Sequence, residues 1–179
     1  MDPRKQAEIR LLADTVRESL DLGVPIDVEM AVQRLGGEVI RSARVDPDVE
    51  AKVARAGERF KIFIQKGKPE ARQRFSIAHE LGHLFLHMGY LIDPDRWSES
   101  DEYRDSVYYR FGHGIEEEEA NEFAAAFLMP EDEFRGITAR LLSRGPDAVD
   151  EIARHFATSR DATVVRGNVL GIFRTPRIS

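Results

Sequence analysis

Residues 69–87 restrict the folding of this 179-residue chain more than any other stretch. Phe75, Ile77, Ala78, Leu81, Leu84 and Phe85 cover more than one face of a helix with 3.6 residues per turn. A helix that is apolar nearly all round is predicted to lie buried in the middle of its domain. Pro69 suits the first turn, where no amide hydrogen is needed. Set into this apolar surface is His79-Glu80-Leu81-Gly82-His83. Gly82 costs about 1 kcal/mol in a helix interior, an expense that a close approach by another backbone or side chain would explain.

Residues four apart on a helix share a face and stand roughly 6 Å apart along the axis. Two imidazoles at that spacing can reach one zinc ion. Glu80, beside the first of them, is placed to take a proton from water polarised by the ion, whose pKa zinc lowers to about 7. The chain has no cysteine, so every ligand must be His, Asp or Glu. A catalytic zinc takes three protein ligands and keeps a fourth position open. A third histidine six residues after His83 is excluded, because that position is Gly89. A glutamate from a second helix is the alternative, and the stretch EEEEANEF at 116–123 supplies one. Runs of glutamate at a helix N-terminus are ordinarily solvated and favoured by the helix dipole, and at least two of the four are expected to be so. The residues themselves leave Glu116, Glu117 and Glu118 open as the ligand. From Glu117, Asn121 is one turn on, where its amide can hydrogen-bond His79 or His83.

The rest of the chain reads as helices, strands, then helices. A helix is expected over 5–22, followed by a short one capped by Asp27 and ended by Gly36 and Gly37. Strands are expected at 39–40, 51–55 and 60–65, with a turn at Ala56, Gly57 and Glu58 between the last two. Residues 89–115 read as a long loop with one short helix around 98–108. Further helices follow at 116–128, 130–142, 147–156 and 159–169. This order predicts one α+β domain over 1–179, its small sheet of about three strands packed against the central metal-binding helix and several other helices. Its parts are N-terminal helices 1–37, the sheet 38–66, zinc-binding helices 69–88 and 116–129, the loop 89–115 and C-terminal helices 130–170. Ile62, Phe63 and Ile64 read as an edge strand beside the cleft, to which an extended substrate peptide could add, with Ile62 and Ile64 also facing inward.

Several smaller readings follow. Tyr90, Tyr103, Tyr108, Tyr109 and His113 are candidates to stabilise an oxyanion, with none preferred. His87, one turn past His83, is a candidate ligand but reads rather as a residue ending a helix near its negative pole, His155 as ordinary surface, and Trp97 as either a lid anchor or a cover over the core. The N-terminus lacks the apolar stretch of a signal peptide and no run is long enough to span a bilayer, so a cytoplasmic protein without membrane contact is expected. Residues 151–171 imitate a helix-turn-helix, with Arg154, Arg160 and Arg166 as phosphate contacts. The formal charge of -6 weighs against direct DNA binding.

HELGH, followed after the long loop by EEEEANEFAAAFLMP, resembles the ImmA/IrrE family of metallopeptidases. The segments GVPIDVEMAVQRLGG, KIFIQ and RFSIAHELGH are similar to it in order and spacing. The family pattern Glu-x-x-Ala-Asn-x-Phe-Ala falls on Glu117, Ala120, Asn121, Phe123 and Ala124. The resemblance implies a zincin-like fold, Zn2+ held by His79, His83 and Glu117, and Glu80 as general base. It also implies a protein substrate, a helix-turn-helix transcriptional repressor whose cleavage switches on its genes. The alternative is a zinc-containing module that binds a partner repressor without cutting it.

Overall fold

Local capping explains where the first helices begin. The computed structural model describes residues 1–42, 50–104, 114–141 and 147–173. Helix α1 (Pro3–Ser19) starts at Asp2, whose carboxylate accepts from the Arg4 amide, and buries Ile9, Ala13 and Val16. Helix α2 (Val28–Arg34) is capped by Asp27, which accepts from the amides of Glu29 and Met30. The chain leaves it through Gly36 at φ +83°, a left-handed conformation that glycine adopts without strain.

Strands β1 (Glu38–Ser42), β2 (Ala51–Ala56), β3 (Arg59–Gln65) and β4 (Glu102–Arg104) form a mixed sheet in the order β1-β3-β2-β4. β2 and β3 are an antiparallel hairpin, and β1 runs parallel to β3. Phe60, Ile62 and Ile64 alternate inward from β3, with Ala51 and Val53 of β2 joining them in the core. β3 is therefore an interior strand, and the expected edge placement of Ile62, Phe63 and Ile64 is corrected. Their backbone groups pair with β2 on one side and β1 on the other, which leaves none for strand addition by a peptide. Phe63 lies half-buried on the outer face beneath the Lys52 ammonium, 5.2 Å from its ring centre.

Helix α3 (Glu70–Leu86) crosses this sheet, and every one of its residues from 77 to 85 is buried. Helix α5 (Ile115–Leu128) packs on the other side of α3, with Gly82 against Ala120 and Phe123. Helices α6 (Glu131–Leu141) and α7 (Ala148–Phe156) close the core through stacked rings of Phe134 and Phe156, 5.6 Å apart, and α8 (Arg160–Val169) packs against α7. The architecture is α+β, with the sheet three strands wide apart from the short fourth.

The segment 89–115 departs from expectation. Its helix, α4, spans Pro94–Glu99 rather than residues around 98–108, because Asp93 caps it and Pro94 opens its first turn. β4 follows at once, whereas residues 105–113, with Tyr108, Tyr109 and His113, lie outside the described residues. Trp97 is buried, its ring 4.8 Å from that of Tyr90 and the Arg55 guanidinium 5.5 Å above it. It covers the core. Among the described residues no helix is long and apolar enough to cross a membrane.

Candidate metal centre

α3 and α5 bring three side chains to one point. His79 and His83, one turn apart on α3, face each other through their Nε2 atoms at 2.9 Å. Glu117, in the first turn of α5, places Oε2 3.2 Å from His79 Nε2 and Oε1 3.3 Å from His83 Nε2. One potential ligand atom from each of the three lies within 4.8 Å of the others. Four ligands held tetrahedrally at about 2.0–2.1 Å from zinc stand about 3.3 Å apart. Two imidazole nitrogens and a carboxylate at these separations fit such an ion.

The electrostatics suit the ligation of an ion. Burial pushes the His83 imidazole down to about 4, against the opposing pull of Glu117, so the ring is neutral near neutral pH and offers a lone pair. Burial opposes ionisation of Glu117, but the imidazoles of His79 and His83 beside it outweigh that effect and hold the carboxyl well below the usual carboxylate range. His79 Nδ1 lies 3.1 Å from Oδ1 of Asn121. An amide oxygen only accepts, so Nδ1 carries the proton and Nε2 is left with its lone pair toward the cluster. Glu80 is fully buried. On an ideal helix it lies about 60° round from His83, on the same side of α3.

The glutamate run divides in two. Glu116 and Glu118 are exposed, and Glu118 accepts an ion pair from the N-terminal amine at 3.2 Å. Glu117 and Glu119 turn toward α3, one on each side of Ala120. Glu119 Oε2 stands 3.2 Å from Nε2 of His87, whose Nδ1 lies 2.8 Å from Nδ1 of His83. His87 is thus tied to the cluster and does more than end its helix. Its spacing of four from His83 is the signal in the sequence that points to this.

A buried ion network is a further feature that the sequence reading missed. Glu122 accepts from Gln6 at 2.9 Å, Arg10 at 2.6 Å and Arg166 at 3.1 Å, and Arg166 Nε donates to the Met129 carbonyl at 3.1 Å. Arg166 is 1% exposed. It cannot contact a phosphate from there, which removes one of the three arginines of the helix-turn-helix imitation. Arg160 is paired with Asp150 at 3.3 Å. Of the loop candidates, Tyr90 is taken up by the core, its hydroxyl donating to the Leu35 carbonyl at 2.6 Å. Tyr103 lies on β4. His155 pairs with Glu133 at 2.8 Å on the surface.

An HExxH helix crossed by a second helix that brings a glutamate to the same point defines a metallopeptidase-like domain. The chain belongs to the IrrE N-terminal-like domain family (Peptidase_M78), whose family model matches residues 32–168. A solved structure of a Mycobacterium tuberculosis transcriptional regulator shares the fold, with a TM-score of 0.61 at 15% identity. The alignment covers 96% of this chain and 48% of that one, so this chain spans about half the length of that regulator. Comparison with curated proteins gives no match.

Proposed function

We propose that this chain is a zinc-dependent endopeptidase domain that hydrolyses a peptide bond in a regulatory protein, a helix-turn-helix repressor being the substrate class. The observation that carries this reading is the convergence of His79, His83 and Glu117 within 4.8 Å, next to the buried Glu80. His79, His83 and Glu117 would hold the ion. When bound, zinc supplies Lewis acidity, which polarises the scissile carbonyl and makes water a stronger acid at neutral pH. Glu80 takes the proton from the attacking water and passes it to the leaving amine. Asn121 keeps His79 in the tautomer that presents Nε2. The low dielectric around these buried groups strengthens each interaction they make with developing charge.

Regulation as the setting is supported by the regulator of similar fold and by the resemblance of the motifs. The test is incubation of the zinc-loaded protein with candidate repressors, scored by mass spectrometry of fragments, beside Glu80→Gln. Cleavage by wild type alone, with zinc affinity equal in both proteins, supports the assignment. Loss of zinc in the Glu80→Gln protein would sink the role given to Glu80. A second reading is a module that binds and sequesters its partner without cutting it. It is favoured by the regulator of similar fold being twice as long, with this fold as one half. Equal capture of the repressor by both proteins, with no fragments from either, would select it.

A further inference from the structure

We propose that His87 and Glu119 form a positioning relay that fixes the tautomer of His83 and so aims its Nε2 at the metal position. The inference rests on the zinc reading above but concerns groups that are not ligands. His87 sits at the end of α3, one turn beyond His83, with its side chain 7% exposed and that of Glu119 12% exposed. Its two ring nitrogens are both engaged: Nε2 on the Glu119 carboxylate at 3.2 Å, Nδ1 on His83 Nδ1 at 2.8 Å.

A carboxylate only accepts hydrogen bonds. Nε2 of His87 therefore carries its proton, and in the neutral ring Nδ1 has a lone pair. Across 2.8 Å that lone pair requires a proton on Nδ1 of His83. His83 is then left with its lone pair on Nε2, the nitrogen that faces His79 and Glu117. The chain of hydrogen bonds thus runs from α5 through His87 to one ligand of α3, as Asn121 of α5 acts on the other. Ala120 makes this possible. At about 100° per residue, Glu117 and Glu119 project to opposite flanks of the Ala120 contact with Gly82. One carboxylate reaches the cluster directly and the other reaches it through His87.

The ring tautomers can be read from long-range 1H–15N spectra of the metal-free Glu117→Ala chain in mildly alkaline solution, where no carboxylate competes for Nε2 of His83. His83 is expected with its proton on Nδ1 and His87 with its proton on Nε2. A His83 proton found on Nε2 overturns the relay. Zn2+ affinity, measured by competition with a chromophoric chelator, supplies the second arm. His87→Phe fills the space but cannot accept the bond, and should weaken binding about 10–100-fold. His87→Gln offers an oxygen to His83 and an amide to Glu119, and should recover most of the loss. If His87 only packs, Phe binds zinc as tightly as wild type and Gln gives no rescue, and that order sinks the proposal. Glu119→Leu, which leaves α3 intact, decides the matter should His87→Phe fail to fold: it should weaken binding, and unchanged affinity counts against the relay. A wild type that binds no zinc defeats the metallopeptidase reading alone, since the tautomers are measured without metal.

Discussion

Gly82 of α3 packs directly on the backbone of Ala120 of α5: a Cβ on Gly82 would lie 2.9 Å from the Ala120 Cα and 3.1 Å from its carbonyl oxygen. No side chain fits there, and the neighbouring atoms are backbone, which cannot swing aside. The absent side chain lets the carboxylate of Glu117 reach imidazoles on another helix.

Gly82→Ala should therefore destabilise the protein by about 1–3 kcal/mol, although alanine is the better helix former. Gly136, on the exposed face of α6, is the control, because a methyl group there would meet nothing within 4 Å. Gly136→Ala should stabilise by about 0.5–1 kcal/mol. Urea unfolding of both variants checks the pair, and equal effects would show that helix propensity rather than the helix crossing governs Gly82.

Glu122→Ala should cost about 3–5 kcal/mol, because it strands the buried guanidinium of Arg166. Burial already lowers the pKa of Arg166, with Glu122 opposing that effect. Replacing both groups, as Glu122→Gln with Arg166→Met, should cost less than the two single changes added together. A double-mutant cycle by denaturant unfolding measures this coupling, and strict additivity would mean that the pair does not interact.

Metal content follows from which glutamate faces α3. His79→Ala and Glu117→Ala should lose bound zinc, whereas Glu118→Ala, at an exposed carboxylate, should keep about one ion per chain. Zinc should raise the unfolding free energy of wild type by about 2.7 kcal/mol at a hundredfold excess over Kd. Elemental analysis and thermal unfolding with and without zinc test both statements.

Alkaline stability should depend on Tyr90. Burial raises its pKa above the ordinary value, and only the neutral phenol donates to the Leu35 carbonyl. The unfolded chain loses that proton at about pH 10, so the stabilisation is complete below this pH and is lost as pH rises through the folded-state value. Tyr90→Phe should cost about 1 kcal/mol near neutral pH and decline less steeply above pH ~10. Parallel stability curves for the two proteins would contradict this.

Much of this arrangement is written locally. The apolar surround of residues 75–85 marks a buried helix, HELGH puts two imidazoles and a carboxylate on it, and Asp27 and Gly57 punctuate the elements around it. Each of these signals acts within a few residues, through periodicity, capping or turn geometry, and needs no knowledge of the rest of the chain. The cap at Asp93 and Pro94 is equally local, yet the expected helix lay further along the loop. β4 carries no such signal, since three residues are too few to show alternation.

Tertiary structure decided the rest. The parallel pairing of β1 with β3 turned a hairpin strand that looked like an edge into an interior one. The division of four identical glutamates into two solvated and two inward-facing follows from how α5 rotates about its contact with Gly82. The pairing of Arg166 with Glu122 and of His87 with Glu119 likewise depends on helix crossings. The sequence by itself determined which chemical groups each element carries, because those preferences are short-range. Only the packing of the elements on one another, α5 on α3 above all, determined which of them meet, because burial and hydrogen bonding between groups far apart in the chain are satisfied by the assembled core and by no single segment of it.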